Sequence, residues 1–85
     1  MEAKWPYRSG KYLTKYERAA VIGERMRQLE NNSPAMVPVE PNDTTRMVAL
    51  RELHRKVIPI LVKRTLPNGT IETISVNQLI TDERA

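Results

Sequence analysis

Apolar positions in this chain recur first at helical and then at strand spacing. From Thr14 to about Leu29, Ala19, Ile22, Met26 and Leu29 follow one another at intervals of three, four and three, which places them on one stripe of an amphipathic helix. Tyr16, Ala20 and Gly23 form a second, flatter stripe beside it. Two apolar stripes on one helix leave two readings open: both are covered within this domain, or the small-residue stripe belongs to another chain. Thr14 followed by Glu17 has the form of a capping box, each residue answering the other's backbone amide. Gly23 lies about two and a half turns in, where glycine costs roughly 1 kcal/mol relative to alanine. A well-started helix that keeps such a residue points to close packing against another backbone.

Glu30-Asn31-Asn32-Ser33-Pro34 ends that helix, because asparagine tolerates left-handed backbone and proline restricts the residue before it. Met36 to Val39 reads as a short extended piece, and Pro38 makes it an edge strand or no strand. Pro41-Asn42-Asp43-Thr44 forms a turn into a second helix with Asp43 or Thr44 as N-cap. That helix is expected to turn Met47, Leu50 and Leu53 or His54 inward and Arg46, Arg51 and Arg55 outward, and to stop before Pro59. Val57 to Val62 is a nearly continuous apolar run that reads as a buried strand. Asn68-Gly69 then marks a hairpin turn, and the alternation from Ile71 to Val76 supplies the return strand. Ser75 or Asn77 is expected to cap a final short turn ending at Leu79-Ile80. The fold class is therefore α+β: two main helices, a small antiparallel sheet built from the C-terminal hairpin, and a short C-terminal helical turn. Residues 1–12, with Trp5, Pro6, Tyr7, Gly10 and Tyr12 among Lys4, Arg8 and Lys11, read as an irregular basic and aromatic arm. Either it is ordered on a partner, or Trp5 and Tyr7 fold back onto their own domain. The domain proper spans 13–80, and 81–85 is expected to be a frayed tail.

Composition narrows the chemistry. Eighty-five residues make one small domain of marginal independent stability. There is no cysteine and one histidine, His54, so disulfides, thiolate sites and a histidine-based metal site are not expected. No metal or other cofactor is expected. No apolar run approaches the length of about 18 that crosses a bilayer, and no N-terminal apolar stretch reads as a secretory signal. The carboxylates on the two helices, Glu17, Glu24 and Glu52, each have an arginine near in sequence and read as helix-surface ion pairs. His54 sits beside Arg55 and Lys56 at a helix end, where a cation suits the helix dipole. No catalytic residue is assigned. The net charge of +4 favours nucleic acid or an acidic protein surface as partner. Arg46, Arg51, Arg55, Lys56, Lys63 and Arg64 would form the basic patch of a free-standing nucleic-acid-binding module, although no aromatic-rich sheet signature accompanies them.

Thr14-Lys15-Tyr16-Glu17-Arg18-Ala19, then Gly23 and Arg25, resembles the signature of the small shared sixth subunit of eukaryotic nuclear RNA polymerases, whose counterparts are archaeal subunit K and bacterial omega. The resemblance runs in order through Pro34-Ala35-Met36-Val37, similar to that family's short strand, and Ala49-Leu50-Arg51-Glu52-Leu53, similar to its second helix. Ile58-Pro59-Ile60, Lys63-Arg64 and Leu66-Pro67-Asn68-Gly69 resemble its closing hairpin. The chain is divergent on this reading. A basic aromatic arm stands where eukaryotic members carry an acidic N-terminal tail, Ala20 stands for a usual arginine, and Thr65 and Ile74 lie where aromatic residues are typical.

The resemblance implies a non-catalytic assembly subunit of a multisubunit DNA-directed RNA polymerase, latching the largest subunit and meeting other polymerase subunits. DNA would be contacted only through the complex, with no membrane and no small-molecule substrate. It implies the nucleus, or the cytoplasm for a viral or prokaryotic member. Thr14, Lys15, Tyr16, Glu17 and Arg18 would form the main contact segment, with Ala19 following. Gly23 would allow close approach, and Arg25 would pair with an acidic group of the partner or of its own domain. Pro34 would fix the exit from the first helix, and Lys63 and Arg64 would meet the assembly from the sheet.

Overall fold

A computed structural model describes residues 4–81. The expected frayed tail falls, from residue 82 onward, outside the described residues. The order of elements is helix α1 (Lys15–Glu30), helix α2 (Thr45–His54), strand β1 (Leu61–Thr65), strand β2 (Ile71–Ser75) and a 3-10 turn, Val76–Gln78. The two helices pack together, the two strands form an antiparallel hairpin, and the fold is α+β.

Local signals set the element ends. The Thr14 hydroxyl accepts from the Glu17 amide at 3.1 Å, and the Glu17 carboxylate accepts from the Thr14 amide at 3.0 Å, closing the capping box. Asn32 takes φ 70° just beyond α1, and the Ser33 amide turns back to the Gln28 carbonyl at 3.0 Å. Thr44, the second of the two candidates, caps α2 by accepting from the Met47 amide at 3.1 Å. At the hairpin tip Gly69 takes φ 88°, a backbone setting that favours a residue without Cβ. The register pairs Leu61 with Ser75, Lys63 with Thr73 and Arg64 with Glu72.

The core gathers Leu13, Val21, Ile22, Ala49, Leu53, Ile58, Ile60, Val62, Ile74, Val76 and Leu79. Its composition corrects several expectations. On α1 the buried residues are Val21, Ile22 and Arg25. Ala19 is exposed, while Met26 and Leu29 only border the core. On α2 the inward set is Val48, Ala49, Glu52 and Leu53. Met47 is 46 % exposed and His54 is also outside. Both stripes are rotated from the expected ones because a charged pair, Arg25 and Glu52, occupies the centre of the helix contact. Periodicity counted over apolar residues alone does not register that pair.

The run Val57 to Val62 is not one buried strand. Pairing with β2 begins only at Leu61, and Val57 and Leu61 are exposed while Ile58, Ile60 and Val62 are buried. One face of the segment lies on the helices and the other is uncovered, so burial alternates although the side chains do not. Residues 34–37, likened to a family strand, have no strand structure, and neither do 38 and 39. The 3-10 turn follows Ser75 without a side-chain cap. Asn77 serves elsewhere, its Oδ1 accepting from the Ile58 amide at 3.1 Å.

The arm folds back onto its own domain. Trp5 and Tyr7 meet edge to face, ring centroids 5.1 Å apart, and both pack against the core. Tyr12 bridges Ile80 in parallel register, with Leu13 donating to the Ile80 carbonyl at 2.9 Å and Ile80 to the Lys11 carbonyl at 2.8 Å.

Candidate docking surface

Two charged clusters engage Arg25 and Arg64 inside the domain. In the first, the Arg25 Nε donates to Glu52 Oε1 at 2.6 Å and its Nη2 to Glu52 Oε2 at 3.0 Å. Arg25 also donates to the Gln28 side chain and, at 2.8 Å, to the Pro34 carbonyl. Glu52 Oε2 accepts the Met36 amide at 2.8 Å. Both side chains are buried, Arg25 2 % and Glu52 0 % exposed. The pair therefore ties α1, α2 and the segment after α1 through one bidentate contact. Of the two partners open to Arg25, its own domain supplies the acid. Glu52, read from its neighbours as a surface ion pair, is instead fully buried. Its sequence neighbours could not reveal this, since its partner lies 27 positions away.

The second cluster centres on Arg64. Its Nε and Nη2 donate to the Glu17 carboxylate at 2.8 Å each, Nη2 to the Tyr12 carbonyl at 2.9 Å, and Nη1 to Ser9 Oγ and the Gly10 carbonyl. Across the hairpin Glu72 accepts from the amides of Arg8 and Ser9 at 2.8 and 3.1 Å and from the Ser9 hydroxyl at 2.8 Å. The arm is thus held on the hairpin by one cation and one carboxylate that are direct cross-strand neighbours. Glu72 is a residue the sequence reading did not single out. Its one signal is the alternation that puts Glu72 on the same face of the return strand as the buried Ile74.

The Arg64 hydrogen bonds, aided by the Thr14 amide and opposed by partial burial, hold the Glu17 carboxyl at about 2 against an ordinary 4.5. The Arg8 amide does the same in direction for Glu72. Because the folded value is the depressed one, the Glu17 contribution is fully present above 4.5 and is lost as pH falls towards 2. Chemical denaturation of Arg64→Ala and the parent chain is expected to show a stability gap at pH 5.5 that narrows steadily below about pH 4.5. A gap independent of pH would mean that Arg64 acts through packing alone.

What remains outward on α1 is distinct from these clusters. Tyr16 is 77 % exposed, with the Lys15 ammonium 5.4 Å from its ring centroid. Ala19, Ala20 and Gly23 are exposed, and a Cβ placed on Gly23 would meet nothing within 4 Å. Close packing within the domain therefore does not require this glycine. Lys63 is exposed on β1 next to Leu61, which is 64 % exposed, and both border a hollow with Ala20 and Val21 of α1. Of the residues singled out, Lys15, Tyr16, Ala19, Gly23 and Lys63 face outward, and Arg18 is half-buried beside them. Thr14, Glu17, Arg25, Arg64 and the Pro34 carbonyl are engaged within the chain. Among the described residues no group of three or more His, Asp or Glu is placed to hold a metal ion.

The sequence model of the family RNA polymerase Rpb6 matches residues 9–60, from the end of the arm through α1 and α2. The chain belongs to that family. Curated relatives extend the match. The Schizosaccharomyces pombe protein named DNA-directed RNA polymerases I, II, and III subunit RPABC2 is 45 % identical over 69 residues, 81 % of this chain and 49 % of its own length. Its Saccharomyces cerevisiae namesake is 42 % identical over 71 residues, 84 % of this chain and 46 % of its own. The Arabidopsis thaliana DNA-directed RNA polymerases II and V subunit 6B is 36 % identical over 78 residues, 92 % of this chain and 54 % of its own. The chain thus spans about half the length of the curated relatives it matches.

Within this Rpb6-family domain half of the basic patch considered for nucleic acid is engaged inside the chain: Arg51, Lys56 and Arg64. Arg51 donates to Asp43 and the Pro38 carbonyl, each at 2.9 Å, pinning the loop before α2. Lys56 donates to the Leu79 carbonyl at 3.1 Å, and Arg64 is the hub already described. A phosphate backbone would have to compete with these acceptors.

Proposed function

We propose that this chain is a non-catalytic assembly subunit of a multisubunit DNA-directed RNA polymerase, and that it docks on the largest subunit through the outward face of α1. The observation that carries this reading is the family match over residues 9–60, with relatives named as RNA polymerase subunits. The uncovered face of Tyr16, Ala19, Ala20 and Gly23 supports it, because small residues let a second backbone approach closely. Lys15 and Tyr16, in the first turn of α1, extend that outward face. Binding only the assembled conformation of a large partner stabilises that conformation by mass action, which is how a subunit without chemistry of its own favours assembly. DNA is met only through the complex, and the eukaryotic relatives favour the nucleus as its place of action.

A tagged full chain, recovered from native cells and washed at moderately high salt, tests this reading. The expected result is recovery of the two largest polymerase subunits in near-equal amounts, identified by mass spectrometry. Recovery alone, or with nucleic acid that salt removes, would overturn it in favour of a free basic nucleic-acid-binding module.

A further inference from the structure

Beside α1 lies a depression of about 210 Å³ whose lining holds three cations and no carboxylate. Leu13 and Ile22 of the core form its floor, with the exposed small residues Ala19 and Gly23 and with Met26 alongside. Lys15 and Arg18 of α1 and Arg46 of α2 supply the charge. Arg18 also borders a neighbouring hollow with Leu50, His54 and Arg55, again without a carboxylate. Arg18 is also not fully satisfied inside the domain: its buried Nε has no hydrogen-bond partner among the described residues. Buried donors in native proteins are nearly always paired. Among the described residues the carboxylates of α1 and α2 are engaged elsewhere: Glu17 is held by Arg64, Glu24 by Arg27 and Glu52 by Arg25, and Glu30 accepts from the Thr45 hydroxyl.

We propose that this depression receives an acidic segment of a neighbouring protein subunit, with a carboxylate pairing with the cationic lining of Lys15, Arg18 and Arg46 and an apolar side chain resting on Ala19 and Gly23. The proposal rests on the polymerase-subunit reading and adds the chemistry of the contact. An acidic peptide satisfies both the cationic lining and the apolar floor. A phosphodiester backbone would use the cations, leave the floor uncovered and find no aromatic ring in the lining on which a base could stack. Charge complementarity of this kind sets register and excludes wrong partners more than it adds affinity.

Zero-length carbodiimide coupling in the purified complex tests the proposal, since it joins an amine only to a carboxylate in contact with it. The expected product links Lys15 to an Asp or Glu of a neighbouring subunit, in a segment that also carries an apolar residue. Arg46→Lys keeps the charge and adds an amine to the same lining; it should couple to that same segment. Arg46→Glu should lower retention in the complex roughly threefold to tenfold under salt washing. The proposal is overturned if both amines stay uncoupled while lysines elsewhere in the same assembly react. Nuclease-sensitive contacts at these positions would overturn it equally, in favour of nucleic acid. Absence of polymerase subunits from the parent chain's own complex would remove the underlying reading and this proposal together. Their presence without coupling removes this proposal alone.

Discussion

Glu52→Ala is expected to lower the stability of the domain by about 3–5 kcal/mol, the range for breaking a buried ion pair and stranding its partner. The substitution removes three contacts at once: both oxygens from Arg25 and the acceptor of the Met36 amide. Arg25, at 2 % exposure, would keep its charge with only Gln28 and the Pro34 carbonyl beside it. A chain of 85 residues has roughly 4–13 kcal/mol of stability in total, so the loss takes a large share of it. The urea midpoint should fall by about 2 M or more. Arg25→Met combined with Glu52→Leu should be less destabilised than Glu52→Ala alone, because no lone charge remains inside. Recovery should stay incomplete, since the Met36 amide and the Pro34 carbonyl lose their partners. A cost below about 1 kcal/mol for Glu52→Ala, measured by equilibrium denaturation, would show that the helices hold together without the pair.

Gly23→Leu should separate folding from docking. A Cβ at position 23 meets nothing within 4 Å, and leucine is a better helix former than glycine by somewhat under 1 kcal/mol. The isolated domain is therefore expected to gain about 0.5–1 kcal/mol and to keep its helicity. Recovery of the assembled polymerase should nevertheless drop by tenfold or more, a contact loss of about 1.4 kcal/mol or greater. Gly23→Ala should give the same folding gain with a smaller docking loss. Few substitutions move stability and assembly in opposite directions, which makes this pair of measurements decisive. Incorporation of Gly23→Leu equal to that of the parent chain would show that α1 presents this face to solvent and not to a partner.

The elements that were legible in the sequence are those specified by residues near one another in the chain. The capping box of Thr14 and Glu17, the Asn68-Gly69 turn and the stop after Glu30 rest on contacts within five positions, and the return strand announces itself by its own alternation. These signals suffice for two helices followed by a hairpin. The ordered run of motifs from Thr14 to Gly69 suffices for the resemblance that the family match then bore out. The small-residue stripe of Tyr16, Ala20 and Gly23 was legible as a stripe, because side-chain size needs no partner to be read, but only the structure showed that it faces outward.

Only the tertiary structure decided which arginines are spent inside and which are left to meet another molecule. Arg25 reaches Glu52 across 27 positions, and Arg64 reaches Glu17 across 47 and Gly10 across 54. No local pattern encodes such distances, and an arginine looks the same in sequence whether it is buried or solvated. The helix stripes were misjudged for the same reason: hydrophobic periodicity assumes a purely apolar contact, whereas this one is centred on two charges. Val57 to Val62 failed differently, since a continuous apolar run does not say how many of its faces will be covered. The sequence by itself determined the kinds of element, their order and the family; packing determined the burial of each side chain. Coulomb attraction and hydrogen bonding between distant residues drew Arg25 and Arg64 inward, while Lys15, Tyr16, Ala19, Gly23 and Lys63 stayed exposed and Arg18 half-buried.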